Sequence, residues 1–299
     1  MSLETDLLLE RRRVKRRLGL WRALAVALAL LGGAALLGPA LLGPALLGGG
    51  HVARLSLRGF IGDDPRLLRA LAAAAEDADI RAVIVAIDSP GGSVAGGEAL
   101  HAAIARLREA GKPVAAVMGG TAASAGYMVA LPAQRIFARE ATLTGSIGVI
   151  LQSFEASELL ARLGVRAETL ASGPLKDQPS PFRPLTEEGR AALAAVIADM
   201  QAQFVAKVVH GRGMEEAQVR AVADGRVLSG RQALALGLVD AIGGEREARR
   251  WLAEAHGVDE DLPVEELDAR PRAQRLLDAA AAAAWRAGLQ ALAPLALPR

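Results

Sequence analysis

The sequence predicts an α/β domain that follows one membrane-spanning helix. Residues 23–47 form an apolar run without a charged side chain, long enough to cross about 30 Å of hydrocarbon as a helix. From residue 52 onward, short apolar strands alternate with helical stretches, which is the pattern of an α/β domain. With 299 residues, 52% of them hydrophobic and 23% charged, the chain can bury a core beyond this helix.

The N-terminal residues predict how the span is oriented. Five arginines and one lysine lie between residues 11 and 17. Such a cluster stays in the cytoplasm, so residues 1–22 are predicted to be cytoplasmic and the chain after residue 50 to lie on the other side of the membrane. A cleavable signal peptide would have an apolar core of only about 7 to 15 residues, so we expect residues 23–47 to remain as an anchor.

The α/β domain is predicted over residues 51–244. Apolar runs indicate strands at residues 52–57, 80–88, 113–118 and 135–138. Helical stretches are predicted at residues 64–78, 95–110, 154–163, 186–209, 216–223 and 229–236, with a short helix ending near residue 131.

A C-terminal helical tail is predicted over residues 245–299 and opens with a helix at residues 245–256. Its alanine-rich stretch, residues 273–292, fits either a helix lying on a neighbour or on the membrane surface, or a flexible segment.

A serine surrounded by small residues marks the first candidate site. Ser124 lies in the run Thr-Ala-Ala-Ser-Ala-Gly-Tyr-Met, residues 121–128, which follows an apolar strand. Alanine and glycine at this density suit a sharp strand-to-helix turn that leaves the hydroxyl open to a substrate. A serine hydroxyl becomes a good nucleophile only when a base removes its proton, so Ser124 needs a partner.

The partner is predicted to be a lysine, because the four histidines of the chain lie in ordinary helix and loop settings. Lys176 follows a turn fixed by glycine and proline, in the run Ser-Gly-Pro-Leu-Lys-Asp, residues 172–177. A lysine acts as a general base only when it is neutral, which requires burial or nearby hydrogen-bond donors. We therefore predict a catalytic dyad of Ser124 and Lys176, although the same local sequence would also suit an ordinary surface lysine.

Two further turns could complete this chemistry. Gly91 follows a predicted strand in the run Asp-Ser-Pro-Gly-Gly-Ser, residues 88–93, where its N–H could hold the negative charge of a tetrahedral intermediate. A phosphate-binding loop fits poorly because no Gly-Lys-Ser/Thr follows. Ser146 lies in a tight turn, where its hydroxyl could orient the lysine. Taken alone, each turn is equally well explained as ordinary turn chemistry.

Composition argues against several other kinds of site. The chain has no cysteine, which excludes disulfides and thiol catalysis, and its four dispersed histidines offer no zinc-type spacing. The proposed chemistry needs no metal and no organic cofactor, so none is expected. Aromatic residues make up only 3% of the chain and the net charge is only +2, so nucleic acid is not an expected partner.

Four segments in this order resemble the signal peptide peptidase A family, bacterial membrane-anchored serine proteases of the S49 type. They are Asp-Ser-Pro-Gly-Gly at residues 88–92, Ala-Ser-Ala-Gly-Tyr at 123–127, Leu-Thr-Gly-Ser-Ile-Gly-Val at 143–149, and the run at 172–177. Segments at 210–213, 223–227 and 233–240 also match, so the resemblance covers approximately residues 55–244. Ala125 departs from the pattern, because many relatives have glycine there.

The resemblance implies a fold and a role for each candidate residue. The fold would be that of the Clp protease and crotonase superfamily, a spiral of ββα units. Ser124 would be the nucleophile and Lys176 the general base. Ser146 would supply the hydroxyl that coordinates the lysine, and Gly91 would supply the oxyanion N–H.

The resemblance also implies substrates, an assembly and a location. Substrates would be the remnants of cleaved signal peptides and other membrane-proximal peptides. Family members of this size form homo-oligomeric rings, commonly with eight chains. The chain would cross the bacterial inner membrane once, with its N-terminus in the cytoplasm and its catalytic domain on the periplasmic side.

Two other classes of function stay open at this point. An acyl-CoA hydratase or isomerase on the crotonase fold also uses glycine N–H donors, but typically with carboxylate acid/base groups. A non-catalytic membrane scaffold could have inherited the same motifs. Labelling by a fluorophosphonate probe that depends on Ser124 would favour a protease.

Overall fold

Continuous apolar strands form the centre of the α/β domain, as the sequence predicts. A computed structural model describes residues 50–267 of the chain. The predicted cytoplasmic segment, the predicted span at residues 23–47 and the tail from residue 268 onward lie outside the described residues. Val83, Ile84 and Val85 are fully buried in succession, which is typical of a parallel strand covered on both faces.

One sheet contains the eight strands found in the described residues. They are β1 (His51–Ile61), β2 (Ile80–Gly92), β3 (Val114–Ala123), β4 (Arg135–Ala138), β5 (Leu143–Gly145), β6 (Val227–Ser229), β7 (Ala241–Ile242) and β8 (Val264–Glu266). The hydrogen-bonded order is β6-β5-β3-β2-β1-β8, and β4 pairs with β3 and β7. Only the β5–β6 pair is antiparallel. The carboxyl ends of β2, β3 and β5 therefore meet at one edge, the usual place for an active site in such sheets.

Helices connect the strands and cover both faces of the sheet. They are α1 (Pro65–Glu76), α2 (Val94–Glu109), α3 (Ala125–Ala130), α4 (Ser157–Arg162), α5 (Glu187–Arg212), α6 (Glu216–Arg220), α7 (Gly230–Ala235) and α8 (Glu245–His256). The hydroxyl of Ser93 accepts a hydrogen bond from the Gly96 N–H at 3.1 Å, so it caps α2 directly after β2 ends.

The two faces of the sheet bury separate cores. Val83, Val85 and Ile87 of β2 belong to the larger core, whereas Ala82 and Ile84 belong to the smaller one, as the alternation of a strand requires. The larger core is covered by α1, α2 and α3, among other elements, and the smaller core by α8. Both faces of the sheet are therefore covered by packed side chains.

Several bounds differ from the prediction. The second strand continues to Gly92 instead of ending at residue 88, because Gly92 still pairs with Ile61 of β1. The strands β5, β6, β7 and β8 are absent from the prediction, since runs of two or three residues give no readable alternation. The predicted helix at residues 154–163 is shortened to α4.

The region from residue 150 to residue 203 has the least packing within the described chain. Only Ser180 and Gly189 are buried in it. It includes the first half of α5, a helix whose length and composition would also allow it to cross a membrane. The second half of α5 packs on the larger core through Phe204, Val205 and Val208, the contacts of a core helix.

Candidate active site

Ser124 occupies a sharp turn between β3 and α3, as its small neighbours predict. Its backbone has φ 54° and ψ −121°, a combination that residues with a side chain rarely adopt. The turn is held by two hydrogen bonds: the Ser124 N–H donates to the Gly145 carbonyl at 2.9 Å, and the Met128 N–H donates to the Ser124 carbonyl at 3.0 Å. The side chain of Ser124 is only partly buried, so its hydroxyl can be reached from outside.

Glycines allow the neighbouring backbone to come close to this turn. A Cβ atom at Gly91, whose φ is 129°, would lie 2.9 Å from the Ser124 Cβ and 3.3 Å from its Oγ. A Cβ atom at Gly126 would lie 3.0 Å from the Ser89 carbonyl oxygen. The end of β2 and the start of α3 therefore pack against each other, and Gly91 lies directly beside the candidate nucleophile.

Ser146 lies across from Ser124 at the end of the neighbouring strand. Ala123 of β3 is in register with Gly145 of β5, so the two serines are the next residues of two parallel strands, which run about 4.8 Å apart. Ser146 also has a positive φ, 49°, and its N–H donates to the Arg226 carbonyl at 2.8 Å. The structure thus brings Ser124, Ser146 and Gly91 together at one edge of the sheet.

The predicted oxyanion donor already has a partner. The N–H of Gly91 donates to the hydroxyl of Ser89 at 3.1 Å, and the same hydroxyl donates to the Gly91 carbonyl at 3.2 Å. Ser89 is fully buried. The Gly91 N–H is therefore close to Ser124 but hydrogen-bonded to Ser89. The sequence analysis did not predict this bond.

A second N–H beside Ser124 was also missed by sequence reasoning. Ala125 is the first residue of α3, and no acceptor for its N–H is found within residues 50–267. In strand-to-helix nucleophile turns, the N–H that follows the nucleophile commonly faces the developing oxyanion. Its position after the serine was the signal that could have identified it.

Lys176 is not brought to Ser124 by the described part of the chain. Its side chain is exposed, and its only hydrogen bond within residues 50–267 runs from its own N–H to the Gly173 carbonyl, at 3.2 Å. The next residue, Asp177, forms an ion pair with Arg183 at 3.0 Å, which holds the chain after the lysine. Within residues 50–267, Lys176 therefore lacks the burial that a neutral lysine requires.

No histidine replaces the lysine near Ser124 among the described residues. None of the side-chain hydrogen bonds of residues 50–267 joins a histidine to Ser124 or Ser146. His101 lies on α2, where burial, followed by the positive charge of Lys207, lowers its pKa to about 4. It is therefore neutral at physiological pH. Within the same residues, no group of acidic or histidine side chains could hold a metal ion.

Comparison with known proteins shows the family of the chain. Residues 106–259, just over half of the chain, match the family model described as Peptidase family S49. A Synechocystis protein named "Putative protease" is 40% identical over 212 residues, which are 70% of this chain and 76% of the relative. An Enterococcus faecium protein named "Putative signal peptide peptidase SppA" is 37% identical over 173 residues, 58% of this chain and 50% of the relative.

The chain thus spans three quarters of one relative and half of the other. Among solved structures, a mutant of ClpP1 from Listeria monocytogenes aligns with a TM-score of 0.43 and 19% identity, over 65% of this chain and 92% of that chain. The family match and the cyanobacterial relative agree with the resemblance expected from the motifs, and the chain belongs to peptidase family S49.

Proposed function

We propose that this S49 protease is a serine endopeptidase that uses Ser124 as its nucleophile and Lys176 as its general base. The observation that carries the proposal is the strained turn of Ser124, pressed against Gly91 and next to Ser146. Strain of this kind costs about 1–3 kcal/mol and persists where the structure needs an unusual side-chain direction. A partly exposed serine on such a turn is suited to attack a peptide carbonyl.

The chemistry then follows the ordinary course of acyl transfer. Neutral Lys176 takes the proton of the Ser124 hydroxyl while Oγ bonds to the carbonyl carbon, and the carbonyl oxygen becomes an oxyanion. Gly91 and Ala125 supply N–H groups to this oxyanion, each worth about 3–4 kcal/mol. The lysine gives the proton to the departing amine and then activates the water that hydrolyses the acyl-enzyme. Ser146 orients the lysine through its hydroxyl.

The proposal includes an assembly of several chains that buries Lys176, which is exposed among residues 50–267. Residues 150–182, here called the apolar segment, carry Lys176 and nine exposed large apolar side chains: Ile150, Leu151, Phe154, Leu159, Leu163, Val165, Leu170, Leu175 and Phe182. So much exposed apolar surface marks an interaction site. We propose a homo-oligomeric ring, with eight chains as the expected number, in which contacts between copies cover this segment and enclose Lys176 beside Ser124.

The substrate and the location extend the same proposal. The substrates are peptides left from cleaved signal sequences, and other peptides near the membrane, in line with the name of the enterococcal relative. Residues 23–47 anchor the protein in the inner membrane as a single span, with the basic residues in the cytoplasm. The α/β domain, which also includes α8 and β8 in the structure, then works on the extracytoplasmic face.

A fluorophosphonate probe tests the nucleophile directly. The full chain in detergent should be labelled on one serine, and Ser124→Ala should abolish the labelling. The matched control is Ser56→Ala, because Ser56 lies on β1, outside the apolar segment, and its hydroxyl donates to the Glu266 carboxylate at 3.1 Å. Labelling that persists in Ser124→Ala would refute the proposal, and an intact oligomer that takes no label would favour the scaffold alternative.

A further inference from the structure

Ser89 is a buried polar residue at the active-site edge that the mechanism above does not use. Its side chain is 0% exposed, and its strand position is in register with Ala122, two residues before Ser124. Within residues 50–267, both hydrogen bonds of its hydroxyl go to one residue, Gly91. The hydroxyl accepts from the N–H at 3.1 Å and donates to the carbonyl at 3.2 Å, so it holds both polar groups of this glycine.

Gly91 lies at the end of β2, just after the pairing with β1 shifts register between Arg58 and Phe60. A glycine has no side chain to limit rotation, and at φ 129° this one adopts a conformation that other residues avoid. The end of β2 also lies directly against Ser124, where even a Cβ atom at position 91 would be too close. The two hydrogen bonds to Ser89 therefore limit how far the Gly91 backbone can rotate beside Ser124.

We infer that Ser89 is a positioning residue for catalysis: its hydroxyl fixes the backbone of Gly91 so that the Gly91 N–H can receive the oxyanion of the tetrahedral intermediate. This inference rests on the proposed function. In the free enzyme the hydroxyl satisfies the N–H, which would otherwise be a buried donor without a partner. During the reaction the N–H turns to the oxyanion, and the hydroxyl keeps its bond to the Gly91 carbonyl.

Transfer of the Gly91 N–H from the Ser89 hydroxyl to the substrate oxygen stabilises the transition state more than the bound substrate. A neutral substrate carbonyl is no better an acceptor than the Ser89 hydroxyl, so it gains little by taking the N–H. An oxyanion forms a charge-assisted hydrogen bond, roughly twice as strong as a neutral one, so it competes successfully. Interactions that strengthen only in the transition state raise kcat without tightening substrate binding. Loss of Ser89 would remove the hydroxyl's bond to the Gly91 carbonyl and leave this backbone free to turn the N–H out of reach of the oxyanion, so it should lower kcat and leave KM nearly unchanged.

Ser89→Ala in the full chain tests the inference. We expect kcat for a fluorogenic peptide to fall by about 10- to 100-fold, less than the roughly 100- to 1,000-fold that follows complete loss of an oxyanion donor. KM should stay close to the wild-type value. The affinity of a peptide boronic acid, which forms a tetrahedral adduct with the nucleophile, should fall by the same factor as kcat.

Thr142→Val is the matched control. The hydroxyl of Thr142 is also buried, accepts from the Arg139 N–H at 3.0 Å and donates to the Gly119 carbonyl at 2.7 Å. This variant loses the same kind of bonds away from Ser124, so it should lower stability and leave kcat and boronate affinity unchanged. If Ser89→Ala does not fold, Ser89→Cys, which keeps a weak donor and acceptor, should show an intermediate loss of kcat.

Three results would overturn the role of Ser89: an unchanged kcat, a higher kcat, or equal losses of kcat in the Ser89 and Thr142 variants. A higher kcat would mean that the hydroxyl merely competes with the substrate for the N–H. The underlying function is tested separately by Ser124→Ala. Hydrolysis that survives Ser124→Ala would refute the proposed function, whereas hydrolysis that depends fully on Ser124 but not on Ser89 would refute only the inference made here.

Discussion

Replacing Ser124 by glycine should give a more stable protein than replacing it by alanine, although both variants lack the nucleophile. The reason lies in the backbone of this residue, which has φ 54° and ψ −121°. Alanine keeps the Cβ atom that makes this conformation unfavourable, whereas glycine has none. The comparison isolates the strain of the turn, because neither variant has a hydroxyl.

The size of the effect follows from two opposing contributions. Relief of the strained conformation is worth about 1–3 kcal/mol. Glycine also gives the unfolded chain more freedom, which costs about 0.4–1 kcal/mol relative to alanine. The glycine variant should therefore be more stable by roughly 0.5–2 kcal/mol, and each kcal/mol corresponds to roughly 2–4 °C in Tm for a domain of this size.

Thermal unfolding of both variants in the same detergent would measure the difference. Ser56 of β1 provides the control, since it lies outside the apolar segment and is not among the described residues with a positive φ. There, glycine should be no more stable than alanine. An alanine variant of Ser124 that melts at or above the temperature of the glycine variant would show that the turn is not strained, and the observation on which the proposed nucleophile rests would be lost.

Three further predictions concern stability and assembly. Tyr127→Phe removes a buried hydroxyl that donates to the Leu238 carbonyl at 2.8 Å, so urea unfolding should show a loss of about 1–3 kcal/mol; no loss would mean that the bond is not formed. Burial lowers the pKa of His101 from 6.5 to about 4, so the unfolded chain binds the extra proton between these values. The free energy of unfolding should therefore fall as the pH drops from 6.5 to about 4, and His101→Gln should make this pH dependence weaker. An equally steep dependence in His101→Gln would contradict the lowered pKa of His101. Leu170, whose side chain is 93% exposed in the single chain, tests the proposed interface: Leu170→Glu should reduce both the oligomer mass measured by light scattering and the activity. The control is Val227→Glu, at a side chain 54% exposed outside the apolar segment, and it should change neither. An intact oligomer in Leu170→Glu would show that Leu170 is not part of the interface.

Local chemistry explains why the centre of the fold was predictable. The uninterrupted apolar run of β2 predicts a strand buried on both faces, and small residues around Ser124 predict its sharp turn. Both depend on residues that are adjacent in sequence. The turn of Ser124 was therefore the predictable part of the site. The pairing of Ala123 with Gly145, which brings Ser146 beside Ser124, was not predicted, because residues 143–146 were expected to form only a tight turn.

The remaining parts depend on contacts that a sequence does not display. The bond between Ser89 and the Gly91 N–H depends on the rotation of one hydroxyl and one peptide, and any serine in a turn has the same local sequence. The burial of Lys176 in the proposed ring would depend on contacts between copies, which no local run of residues displays. The short strands β6, β7 and β8 form by pairing with β5, β4 and β1, which are distant in the sequence.

The pairing of Ser124 with Lys176 is the central claim, and hydrolysis of a fluorogenic peptide derived from a signal sequence tests it most directly. The full chain in detergent would be compared with Lys176→Ala and with Lys207→Ala, whose lysine forms an ion pair with Glu98 at 3.0 Å. We predict that Lys176→Ala loses activity by about 100- to 10,000-fold, as expected for the loss of a general base. Its oligomer mass and Tm should equal those of the wild type, and Lys207→Ala should stay active. Wild-type hydrolysis by Lys176→Ala would show that another group activates Ser124 and would contradict the mechanism.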